Sequence, residues 1–137
     1  SIMATLILNP KAQFLLGASL EVLHFESKEW LSAIAFWKDE IKFFDTLIKQ
    51  KESSKKGNAD FVSMLKNLDK IHLNLFEDLE DSILEHEHLL SKIERAEKGV
   101  SDFDYREKHQ QLKNRITVFE TDFKTFKSIV FNYVKQL

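Results

Sequence analysis

Through three stretches of this sequence, apolar residues recur at alternating steps of four and three. The first stripe runs Leu20, Leu23, Ser27, Trp30, Ile34, Trp37, Ile41, Phe44 and Ile48. The second runs Phe61, Leu65, Leu68, His72, Leu75, Leu79, Ser82, His86, Leu89, Ile93 and Ala96. The third runs Tyr105, His109, Leu112, Ile116, Phe119, Phe123, Phe126, Val130, Tyr133 and Leu137. This spacing puts the side chains of each stripe on one side of an α-helix and favours knobs-into-holes packing. The pattern predicts helices over about 18–51, 58–98 and 101–136. The expected fold is all-α: a single domain over 1–137, an antiparallel up-down-up bundle of three long helices with coiled-coil-like seams.

The breaks between stripes agree with that topology. Residues 51–58, Lys-Glu-Ser-Ser-Lys-Lys-Gly-Asn, are polar and contain Gly57, so they read as a loop. Around Lys98-Gly99-Val100-Ser101-Asp102, Gly99 can close one helix in the left-handed conformation. Ser101 can cap the next, and Val100 and Tyr105 have the spacing of a hydrophobic staple. Elsewhere Gly and Pro are scarce, with three and one in the chain, as long helices require. Residues 1–17 form a separate apolar segment. Asn9-Pro10 suits a helix start and Gly17 weakens a continuous helix. No Lys or Arg precedes the apolar run Ile2 to Leu8, so a secretory signal is not expected.

Folding the hairpins on these loops predicts which residues share a level. Ser27 should lie beside Ser82, Trp37 beside His72, and Glu85 beside Arg115 as an ion pair. Ser27, Ser82, His86 and His109 then fall near one end and read as a structural polar layer.

The apolar arc of the first helix is wider than one seam needs. Ala33 and Leu47 flank the stripe, and Val22, Phe36 and Phe43 lie further round. This surface is expected to be covered, by the N-terminal segment or by a second copy, completing a four-helix or larger bundle.

Two Glu-x-x-His pairs, Glu21/His24 and Glu85/His88, invite comparison with carboxylate-bridged di-metal bundles, which use two such pairs plus further glutamates. With His86 and His109 these are the metal-ligand candidates. The pairs sit on opposite flanks of their seams, no fourth long helix supplies the missing glutamates, and His-x-x-x-His is absent, so no metal or other cofactor is expected. With no cysteine, thiolate zinc sites and thiol nucleophiles are excluded. There is no phosphate loop and no nucleophile elbow, and no catalytic residue is assigned. A net charge of -2 provides no general attraction for nucleic acid. Lys51, Lys55 and Lys56 read as a solvated loop, and Glu77 to Asp81 as a solvent face.

The run Phe25-Glu-Ser-Lys-Glu-Trp30-Leu-Ser-Ala-Ile-Ala-Phe36-Trp37-Lys-Asp-Glu40-Ile-Lys-Phe-Phe44 resembles a segment of small helical Bacteroidetes proteins that have no assigned function. The resemblance rests on aromatic spacing and Lys-Asp-Glu. It covers the first helix only, and implies a bacterial cytoplasmic bundle with no site residues. The resulting expectation is a non-enzymatic protein that acts by self-association, as a dimer, or by contact with another protein. The alternatives are a metal-binding bundle of ferritin-like or hemerythrin-like character and a peripheral membrane protein using the apolar N-terminus.

Overall fold

The computed structural model describes residues 19–52 and 59–136. Among them every regular element is helical: α1 (Leu20–Glu52), α2 (Ala59–Leu73), a π-helical segment (Asn74–Glu80), α3 (Asp81–Glu94) and α4 (Asp102–Lys135). Leu73, Glu80 and Asp81 all keep right-handed helical angles, so α2, the π segment and α3 run on as one rod. The three rods pack antiparallel in sequence, with α1 and α4 parallel to each other, as the seam pattern predicts. The N-terminal features at Asn9-Pro10 and Gly17 lie outside the described residues, as do Lys55 and Lys56.

Local chemistry sets the helix ends. The Val22 N–H donates to the Ser19 hydroxyl at 3.1 Å, a cap that the stripe alone did not reveal. Ser101 caps α4 as expected, accepting from the Asp104 N–H at 3.2 Å. Val100 and Tyr105 line one small crevice with Leu89. The end of α3 differs from expectation. The helix stops at Glu94, and Ala96, not Gly99, takes the left-handed position with φ 55°. The Ala96 N–H donates to the Ile93 carbonyl at 2.9 Å and the Glu97 N–H to the Lys92 carbonyl at 3.0 Å, the paired bonds of a Schellman motif. Ala96 is therefore an exposed turn residue rather than the last seam position. Gly99 (φ 85°) serves the turn that follows.

The stripes of α1 and α4 are buried as predicted, from Leu23 to Ile48 and from Tyr105 to Val130. The middle rod departs from its stripe. Met64, Ile83 and Leu90 enter the core, while His72 is exposed and Ser82 and Leu89 are half-buried. Leu75, Leu79 and Ile83 are each four residues apart, a step that would walk around an α-helix. The π segment takes up more residues per turn and keeps all three on one side. The core therefore outpaces the strict four-three count.

The main core runs from Trp30, Ile34 and Trp37 to Ile48 on α1, from Phe61 to Ile83 on the middle rod, and from Leu112 to Val130 on α4. Phe44 meets Phe123 and Phe126 edge-on at 6.4 and 6.2 Å, and Trp37 tilts against Phe119 at 4.9 Å. Each such burial stabilises the fold by ~1.5–3 kcal/mol. Trp37 packs on α4, and His72 lines a groove with Lys38 and Ile41, at the level the first hairpin predicts. Cross-rod ion pairs, Lys38–Glu80 at 2.7 Å and Lys127–Glu40 at 2.8 Å, are partly exposed. At about 0.5 kcal/mol each they orient the rods rather than hold them.

Candidate functional site

Two regions hold more than ordinary packing. The first is a polar layer at the end of the bundle where α3 turns into α4. Ser27, His86 and His109 occupy one level of the three seams and all are buried. On one side lies the main core, on the other a small cluster of Leu23, Leu90 and Tyr105. His86 Nε2 and His109 Nδ1 are 3.0 Å apart. His109 Nε2 faces Glu26 Oε1 at 3.5 Å, and Glu26 also meets Lys113 Nζ at 3.3 Å. A neutral imidazole carries one N–H. The Glu26 carboxylate favours that proton on His109 Nε2, which leaves His109 Nδ1 to accept from His86 Nε2–H. His86 Nδ1 is then a buried acceptor. It has no hydrogen-bond partner among the described residues, whereas the Ser27 hydroxyl lies close enough to the Tyr105 phenol to oppose the rise of its pKa.

Aromatic faces close the layer. His86 stacks on Tyr105 at 4.1 Å with 4° between planes, and Trp30 stacks on His109 at 4.5 Å. Burial pushes the His86 pKa down to about 3, with His109 and Lys108 adding to the fall. Burial also lowers His109, against the opposing pull of Glu26. Burial, with help from the Glu87 carboxylate, raises the Tyr105 phenol. All three groups are therefore neutral at pH 7.

The metal-ligand candidates do not converge. Glu21, Glu85 and His88 are exposed on outer faces. His24 reaches across to Glu87, with Nδ1 2.5 Å from Oε2, a partner sequence reasoning missed although it sits at the level the first hairpin predicts. Only His86 and His109 meet, and among the described residues no three His, Asp or Glu side chains are grouped to hold a metal ion. Ser82 leaves the expected layer and accepts from Arg115 at 3.3 Å. Arg115 pairs with Asp78 at 3.0 Å in place of Glu85, because the turn after Glu94 is longer than the predicted one and shifts the second hairpin's register.

The second region is the outer face of α1. Phe25, Phe36 and Phe43 are 62%, 64% and 57% exposed, and Val22 is 51% exposed. Ala33 and Leu47, named with this surface from the sequence, are partly buried against the main core and form its edge. Phe25 was missed. It lies eleven residues before Phe36, about three turns, so the two share a face although they fall at different heptad positions. At the far end Phe43 and Phe131 of α4 both pack edge-on against Phe44, at 5.3 and 5.4 Å, which widens the patch.

No known protein family, curated protein or solved structure matches this chain, so its function has to be argued from its own residues. Among the described residues no helix is long and apolar enough to cross a membrane. The polar layer has no wall open to solvent at its histidines, whereas the aromatic face presents its rings outward.

Proposed function

We propose that this protein is a non-enzymatic helical bundle that acts by protein–protein contact through the outer face of α1, first of all by self-association. The observation that carries this reading is the line of three phenylalanines, each more than half exposed, along one side of a single helix. Single exposed apolar residues are ordinary on a soluble protein, but three aromatic rings aligned on one helix face favour an interaction surface. The polar layer supports the same reading by default: its groups are neutral, enclosed and aromatic-stacked, which suits packing and register rather than turnover. The reading takes the chain as cytoplasmic, which its lack of cysteine permits.

The test is sedimentation equilibrium of the full chain across a wide concentration range, beside the variant Phe36→Asp/Phe43→Asp. The wild type is expected to exceed its 16.1 kDa chain mass as concentration rises. The variant should stay at chain mass with unchanged helical circular dichroism. A wild type that remains at chain mass into the hundreds of micromolar, as a rough bound for a weak complex, removes self-association.

A further inference from the structure

We infer that the occupant of this face is a second copy of the chain laid antiparallel on α1, with a twofold axis passing near residue 34. This rests on the self-association reading above and adds to it a register and an orientation.

The argument starts from the spacing. Phe25 and Phe43 are separated by eighteen residues, about five whole turns, so they point the same way from opposite ends of the strip. A twofold axis midway between them is self-complementary: whatever residue i meets, its partner meets i. It brings Phe25 of each copy onto Phe43 of the other. Phe36 falls opposite Ser32, and the two Phe36 rings flank the axis, offset by about 6 Å along the helix at 1.5 Å rise per residue. Small Ser32 leaves room for the ring, as interdigitation requires.

The edges of the strip agree with the same axis. In an antiparallel pair each flank meets its own counterpart. Val22 and Leu47 lie on one flank and come level, apolar against apolar. Lys28 and Asp39 lie on the other flank, about three turns apart, and come level as opposite charges. Symmetry makes that pair twice. Both residues are exposed, and neither forms an ion pair within the described residues. One juxtaposition opposes, and symmetry makes it twice as well: Glu29 meets Glu40. Glu40 is already held by Lys127 at 2.8 Å, which offsets its charge. A parallel dimer in register would instead lay each flank against the opposite one, setting Lys28 against Glu29, Asp39 against Glu40 and apolar Val22 against Glu21, so the apolar match of Val22 with Leu47 favours the antiparallel arrangement.

Area sets the strength. Three phenylalanines exposed by about 60% contribute roughly 350 Å² per copy, given 150–250 Å² for an aromatic side chain. With the flanking residues the pair approaches the ~1,200 Å² that marks the lower edge of stable interfaces. The dimer is therefore weak, dissociating in the micromolar range, as small interfaces of this kind do at about that order.

The test uses single-cysteine variants of the full chain, Lys28→Cys and Asp39→Cys. The chain has no cysteine of its own, so each thiol reports alone. Both sites are solvent-exposed, so the fold is not at risk. The two proteins are mixed in equal amounts and treated with a short bis-maleimide. Cross-linked dimers joining position 28 to position 39 should outnumber like-with-like products several-fold. In parallel, Lys28→Asp should weaken association about 3–10-fold, and Lys28→Asp/Asp39→Lys should restore it. Dominant 28–28 and 39–39 products, in a chain that still dimerises and still loses dimerisation in Phe36→Asp/Phe43→Asp, overturn the antiparallel register while leaving self-association standing. No cross-linked dimer, with chain mass at every concentration, overturns both and assigns the face to residues 2–16 or to a different protein.

Discussion

The two ends of the bundle are built from similar numbers of aromatic rings but to opposite effect. Around Phe44 the rings of Phe123 and Phe126 pack edge-on, and Phe119 packs on Trp37, with no buried polar side chain among them. Around His86 the rings of Tyr105, His109 and Trp30 stack just as closely, yet they enclose polar atoms, among them a His86 Nδ1 with no hydrogen-bond partner among the described residues. Both ends bury their rings in the bundle. The first converts burial directly into stability, while the second sets desolvation of polar groups against it. The difference shows that a continuous heptad seam does not imply uniform stability along a bundle. The polar level divides the core into a large apolar block and a small one of Leu23, Leu90 and Tyr105.

Four measurements sharpen this contrast. The largest effect is expected at the apolar end, where Phe123→Ala should cost about 3–5 kcal/mol in urea denaturation. Leu90→Ala, in the small cluster, should cost less, about 2–3 kcal/mol. A loss at Leu90 equal to that at Phe123 would erase the distinction between the two blocks.

The next effect is confined to the histidine end. Both imidazoles have folded-state pKa values below the unfolded value of 6.5, that of His86 at about 3. The unfolded chain therefore binds more protons below pH 6.5. The stability they allow is complete above that pH and is lost as pH falls towards about 3. The slope is about 1.4 kcal/mol per pH unit for His86, and His109 adds a contribution of the same sign. Denaturation midpoints measured between pH 7 and 5 should fall more steeply for the wild type than for His86→Phe/His109→Leu. Parallel pH profiles would mean the layer is not kept neutral by burial.

Ser27→Ala probes the hydroxyl beside the Tyr105 phenol. Removing it leaves the buried phenol without that neighbour and should cost about 1 kcal/mol. Unchanged or raised stability would mean that the two hydroxyls do not hydrogen-bond. The smallest effect lies at the turn beyond the layer. Ala96→Gly relieves a left-handed alanine and should stabilise by about 0.5–1 kcal/mol, read as a small rise in melting temperature.

Much of this was legible in the stripes. For α1 and α4 the four-three count named the buried residues from Leu23 to Ile48 and from Tyr105 to Val130. It also placed Ser27, His86 and His109 together. It could not show that Phe25 belongs with Phe36 and Phe43, because an eleven-residue interval is three helical turns but not a whole number of heptads. Nor could it find Glu26 and Glu87, whose roles come from a neighbouring rod. Of the proposed metal ligands, only His86 and His109 meet.

Among the described residues, the sequence by itself determined the three helical rods and their antiparallel order, because periodicity and turn chemistry are local and cumulative over many residues. Only the tertiary structure decided the phase of the middle rod, the end of α3 at Glu94, and the line of contacts from Glu26 through His109 to His86. Each of these depends on a small difference, one extra residue in a π turn or one carboxylate at 3.5 Å. Packing against neighbouring rods settles such differences, and local preference is too weak to specify them.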